Sequence, residues 1–141
     1  WVDSFHTGYN LSALYDYERY TGDLTYHDNL MEGLRYYIPN FFLEDGTPKY
    51  YNDRIYPIDI HCPGQLLVTL HELNKIDTYQ EIVDNVLSWT ISNMQDRRGF
   101  FYYQLKKGIN SRIPYMRWSN AFMFNALSCY IWSICVTKEL R

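Results

Sequence analysis

The 141-residue sequence has no long run of one charge. Its formal net charge is −3 and no basic run exceeds two residues, which argues against a nucleic-acid footprint. It also lacks a disulfide framework. The three cysteines, Cys62, Cys129 and Cys135, show no paired spacing; an odd count of this kind favours a reducing compartment, so a cytoplasmic location is expected. No signal-peptide pattern is present. The chain opens on Trp1, inside what the repeat described below marks as a loop, so upstream residues are expected and would carry any targeting segment. Nor is there an apolar run long enough for a bilayer. The longest, Ala121 to Val136, is about 16 residues against the roughly 20 a span needs, and Asn125, Ser128 and Ser133 interrupt it. No membrane span is expected; a helix buried on all sides is.

What is abundant is apolar and aromatic. Hydrophobic residues make up 47% of the chain, which makes it globular rather than disordered. Aromatics reach 18%, with 15 tyrosines. Tyr joins an apolar ring to a polar tip, which suits helix contacts and half-buried sugar-binding faces alike.

Five helical segments follow in order. Thr7 is positioned to cap a first helix over about 8–20, and Gly22 to end it. Asp23 or Thr25 caps a second from about Tyr26, with Leu30, Leu34 and Ile38 as its stripe and Pro39 expected to end or kink it. Asp45-Gly46 signals a turn, and Asn52-Asp53 closes a small hairpin. A third helix starts near Pro63 and runs to about Asn74. Thr78-Tyr79-Gln80-Glu81 reads as a capping box for a fourth, with Ile82, Val86 and Trp89 on its apolar face. Gly99 breaks the chain, a second hairpin flanks Lys106-Lys107-Gly108, and a fifth helix begins near Ser119.

Two stretches repeat. Asn40 to Gly46 aligns with Asn93 to Gly99, Tyr50 with Tyr103, and Tyr56-Pro57 with Ile113-Pro114, a period of roughly 55 residues. Periods of this size mark arrays of supersecondary units that share a core. Helices one, three and five form the more apolar set and are expected inside; two and four, amphipathic, outside. The expected fold is all-α: an α/α toroid-type hairpin array of about two and a half hairpins, with short β-hairpins in the connecting loops. Residues 1–141 are expected to form one such domain, the C-terminal part of a longer toroid. A homo-oligomer or a missing N-terminal half would complete the ring.

In such an array the loops entering the inner helices meet at one end of a central cavity. Three polar entries are then brought together: Trp1 to Asn10, Tyr56 to Gln65, and Ile113 to Asn120. Asp3 and Asp59 are candidates for general acid and base in glycoside cleavage, or for helix caps. His6 and His61 are candidates for proton transfer, or for bonds between neighbouring loops. Arg117 offers a bidentate fork for a sugar carboxylate, or an ion pair with Asp59 or Asp3. Trp1, Tyr9, Tyr56, Tyr115 and Trp118 are candidate sugar-binding rings. His27 and His71 read as surface or packing residues. Adjacent residues at a helix start point to different sides, so His61 and Cys62 are poorly placed for zinc; no metal and no cofactor is expected.

Trp1-x-Asp3-Ser4-Phe5-His6-Thr7-Gly8-Tyr9-Asn10-Leu11, with Tyr56-Pro57-Ile58-Asp59-Ile60-His61 and Tyr115-Met116-Arg117-Trp118, resembles the six-hairpin glycosidase superfamily. That group includes unsaturated glucuronyl hydrolases, N-acylglucosamine 2-epimerases and α-mannanases; the nearest likeness is to bacterial relatives associated with polysaccharide assembly. The resemblance implies a carbohydrate ligand and a hydrolase or epimerase acting on an oligosaccharide or polysaccharide, including one that carries uronic acid. Epimerase relatives move a proton at carbon with histidines, which permits that role for His6 and His61. A non-catalytic saccharide-binding or assembly module, and a helical scaffold without ligand, are the alternatives. With two and a half hairpins instead of six, the chain departs from the pattern by being short.

Overall fold

The computed structural model describes the backbone of residues 1–139 and side chains through residue 136. Helix α1 (Ser4–Thr21) begins about four residues earlier than a Thr7 cap implies, because Asp3 is the cap. Asp3 is extended and its carboxylate accepts from the His6 amide, while the Thr7 hydroxyl donates back to the Asp3 carbonyl at 2.6 Å. Gly22 ends the helix at φ 73°, its amide donating to the Glu18 carbonyl. Asp23 caps no helix. Its carboxylate closes the turn by accepting from the Thr25 amide and hydroxyl, at 2.9 and 2.6 Å.

Helix α2 (His27–Phe41) runs through Pro39 instead of stopping there. Pro39 lies in the last turn, where only one amide is lost. The Asn40 side chain donates to the Tyr36 carbonyl and the Phe42 amide to that of Ile38, which satisfies its neighbours. Helix α3 (His61–Glu72) starts after a two-residue strand, β1 (Ile58–Asp59). The expected capping box does not form. A 3₁₀ turn (Asp77–Tyr79) holds Thr78, and α4 (Gln80–Met94) begins without a side-chain cap. Strand β2 (Gln104–Leu105) follows, then a π-helical turn (Met116–Ala121) that runs into α5 (Phe122–Glu139).

Helix α3 packs between α1 and α5, α2 backs α1, and α4 backs α3. This is the expected inner and outer order. Packing rather than composition makes α1 an inner helix, since Tyr9, Tyr17 and Tyr20 on it are exposed. Leu11, Leu34, Tyr37, Leu66, Leu70 and Val86 belong to one core cluster that joins α1 through α4; Ile58, Ile60, Met94, Phe101 and Met123 form a second beneath the strands. Each buried Leu contributes about 1.5–3 kcal/mol. Gly8 lets α1 and α3 meet closely, because a Cβ there would lie 2.7 Å from Gln65 Cγ. Helix α5 corrects the expectation of all-round burial. Met123 and Ala126 are buried, but Phe124, Ile131 and Trp132 are 76%, 55% and 67% exposed.

The connecting segments repeat one device. After α2 the chain returns to the first entry: Asp3 bridges Tyr51, and the Ser4 amide donates to the Tyr50 carbonyl at 2.8 Å. After α4 it returns to the second: β1 pairs antiparallel with β2, Asp59 opposite Gln104, and the Ile60 amide donates to the Tyr103 carbonyl at 3.1 Å. The tight turns expected at Asn52-Asp53 and Lys106-Lys107-Gly108 are present as the Tyr51–Arg54 and Gln104–Ser111 bridges. Each extended segment thus braces the entry of the inner helix before it.

Candidate functional site

An aspartate turns inward at each of these helix starts, Asp3 directly before α1 and Asp59 two residues before the first residue of α3. Asp3 and Asp59 are 4% and 3% exposed. Asp59 Oδ1 accepts from the His61 amide at 3.0 Å and lies 2.7 Å from His61 Nδ1, and Gln104 Nε2 donates to Oδ2 at 3.0 Å. Asp3 accepts from the His6 amide at 2.9 Å, and His6 Nδ1 lies 3.0 Å from both carboxylate oxygens. A carboxylate only accepts, so Nδ1 of each imidazole carries the proton and Nε2 is left as the free nitrogen. The same geometry therefore caps a helix and fixes a histidine tautomer.

The two pairs share an environment. Burial, then the charges of Asp3 and Asp59, push Tyr50 up to about 12. Burial, then Asp59, raises Tyr103. Burial and then the Asp59 charge hold the Cys62 thiol well above its ordinary range, so it is not a thiolate nucleophile. Tyr50 and Cys62 feel both carboxylates.

Phe5 lies between the two imidazoles, its ring 5.4 Å from His6 and 5.6 Å from His61. From there ring contacts continue through His61 to Tyr103, then to Tyr115 and Trp118 at 5.3 and 6.3 Å. Tyr9 stacks on Phe5 from the other side. One aromatic chain thus joins all three entries. Trp1 stands apart on Tyr51, and among the described residues Tyr56 makes no ring contact. Beside the chain, between α1, α3 and α5, lies a cavity of about 300 Å³ lined by Phe5, Tyr9, Gln65, Glu72, Phe122 and Asn125.

Arg117 stands on the π-helical turn. Such turns insert one extra residue and often mark functional sites. The expected ion pair with Asp59 or Asp3 is not formed; among the described residues Arg117 pairs with no carboxylate, and with Tyr115, Met116 and Trp118 it lines an open pocket of about 220 Å³. His27 is a surface residue bonded to Glu18 at 3.2 Å, and His71 a half-buried one bonded to Ser133 at 2.8 Å. Among the described residues no three His, Cys, Asp or Glu side chains gather as metal ligands, and no described helix is long and apolar enough to cross a membrane. Tyr50, Tyr103 and Gln104 were not foreseen as site residues. The alignment of Tyr50 with Tyr103 was the one available signal.

Helical hairpins in inner and outer order, with a chain of aromatic rings joining the inner-helix entries, are the build of a carbohydrate-active α/α protein. The family model for Glycosyl Hydrolase Family 88 matches residues 1–140, and the chain belongs to that family. No curated protein and no solved structure matches it.

Proposed function

We propose that the three entries form one wall of a glycosidase-type active site acting on an oligosaccharide that carries a uronic acid. The observation that carries this reading is the repeated Asp–His pair at the head of one aromatic cleft. The Asp59–His61 pair is the proton-transfer unit: Asp59 fixes the imidazole through Nδ1, and His61 is 21% exposed. Asp3–His6 is its counterpart, with His6 63% exposed. Buried as they are, the carboxylates act through their histidines rather than directly on substrate. Tyr115, Trp118 and Tyr9 stack on sugar rings. Arg117, which pairs with no carboxylate among the described residues, takes the sugar carboxylate.

The test is turnover of uronate-bearing oligosaccharides against their carboxyl-reduced counterparts. Wild type prefers the acid, and Arg117→Ala removes that preference by raising KM about ten- to a hundredfold, the worth of a charge-assisted hydrogen bond of about 1.5–3 kcal/mol. An undiminished preference in Arg117→Ala excludes the carboxylate clamp. Two imidazoles held in one tautomer also suit proton removal at carbon. Incorporation of solvent deuterium into recovered substrate would favour an epimerase-like reaction over hydrolysis.

A further inference from the structure

The two connecting segments of the repeat match in backbone and differ in charge. Each opens on a glycine turn of positive φ, 86° at Gly46 and 97° at Gly99. Helix α4 closes over the first, where a Cβ on Gly46 would lie 2.1 Å from the Asn85 carbonyl oxygen; at Gly99 a Cβ would meet nothing within 4 Å. Each segment then folds back on itself, through the Tyr51–Arg54 and Gln104–Ser111 bridges. In the first, the cations are used internally. Arg54 pairs with Asp53 at 3.7 Å, and Lys49 Nζ donates to the Asn52 carbonyl at 2.6 Å. In the second they are not: Lys106, Lys107 and Arg112 are exposed and pair with no carboxylate among the described residues.

The imbalance runs along the chain. From Arg97 to Arg117 there are six basic residues and no acidic one, whereas residues 1–96 hold 15 acidic and five basic. A protein of net charge −3 thus gathers positive charge in one segment. All six cations are exposed, and among the described residues Arg98 alone is ion-paired, with Asp96 at 2.8 Å. This segment starts at the cleft. Tyr103 contacts Tyr115 and Trp118, the neighbours of Arg117, and Gln104 holds Asp59. From Tyr103 to Lys106 and Lys107 an extended chain covers about 10–13 Å at about 3.3 Å per residue. Fixed charge of one sign beside a cleft concentrates and steers counter-charged ligands.

We propose that the hairpin bearing Lys106, Lys107 and Arg112 is a subsite for further acidic groups, so that the saccharide taken by the cleft is a chain with repeated carboxylates and not one uronate in a neutral chain. Arg117 takes one carboxylate, and the hairpin holds those that follow as the chain leaves the cleft. Lysine suits the exposed tip, because a hydrated point charge on a flexible stem needs no fixed geometry from its partner. The rings of Tyr103, Tyr115 and Trp118 between Arg117 and the tip favour a sugar chain over a lipid headgroup. This inference rests on the saccharide reading of the cleft and adds the charge pattern of its ligand.

The test is binding, read by fluorescence anisotropy with the full chain and two end-labelled ligands of equal length: an oligogalacturonide, and an oligosaccharide with a single uronate. Wild type is expected to bind the oligogalacturonide more tightly, and to lose that advantage between about 50 and 200 mM NaCl. A variant with Lys106→Gln, Lys107→Gln and Arg112→Gln is expected to bind the oligogalacturonide about tenfold more weakly at low salt and the single-uronate ligand as wild type does. These side chains are exposed, so the circular dichroism spectrum stays native. Arg117→Ala is expected to weaken both ligands, which separates the clamp from the hairpin. No binding of either ligand by wild type overturns the saccharide reading and this proposal with it. Equal affinity of wild type and the hairpin variant for the oligogalacturonide, with the Arg117 effect intact, overturns the hairpin subsite alone. Binding to phosphatidylserine vesicles that the hairpin variant abolishes, with none to oligogalacturonide, overturns it in favour of a membrane surface.

Discussion

A buried carboxylate is costly unless every oxygen finds a donor, and Asp59 has three donors from two segments. Gln104 is the one that comes from outside the helix start. Gln104→Leu should therefore cost about 1–3 kcal/mol, the penalty of a buried acceptor left unsatisfied, read as a lower urea midpoint. It should also shift the pH profile of turnover, because Asp59 would hold His61 with one oxygen unopposed. Cys62 is predicted to resist alkylation at pH 8 in the native state, since burial and Asp59 disfavour its thiolate, whereas exposed Cys135 reacts. At this scale the Asp–His pairs could be read from the sequence, since an Asp stands two or three residues before a His at two helix starts. Gln104 could not: its role depends on a strand pairing between residues 45 apart, which local pattern does not encode.

Elements are held by turns whose chemistry differs from their first reading. Asp23 ends no helix but ties the α1–α2 turn. Hydrogen bonds from Thr25 and then Tyr17 lower it to about 2. A carboxyl depressed in the folded state adds stability above its ordinary value of about 3.9 and loses it as pH falls toward 2. Asp23→Asn should therefore flatten the dependence of the urea midpoint on pH between about 4 and 2, lowering the midpoint most at pH 7 and least at pH 2. The two glycine turns give a paired prediction. Gly99→Ala costs only the left-handed backbone, about 1–2 kcal/mol; Gly46→Ala adds a clash with α4 worth about 1–3 kcal/mol more. Thermal melts of the two variants test it. Helix positions were legible because the apolar stripes of α2 and α4 have helical period. Pro39 and Thr78 misled because one amide is expendable in a last turn and a 3₁₀ turn can replace a side-chain cap. The π-helical turn beneath Arg117 has no signature in composition.

Across the whole molecule, the inner and outer order followed from the repeat, and membership of Glycosyl Hydrolase Family 88 agrees with it. What the apolar run of α5 could not reveal is which side has a neighbour, because exposure depends on what packs there and not on the helix itself. The bracing of the first two entries by the extended segment of the same hairpin was equally hidden, although it holds the helix starts that carry Asp3, His6, Asp59 and His61. The central claim is that these pairs work as a proton-transfer site on a sugar. The most direct measurement is kcat/KM for a uronate-bearing oligosaccharide with wild type and Asp59→Asn, at matched melting temperature. A fall of about 10²–10⁴-fold, the worth of general acid–base catalysis, is predicted; equal turnover by the two proteins would contradict it.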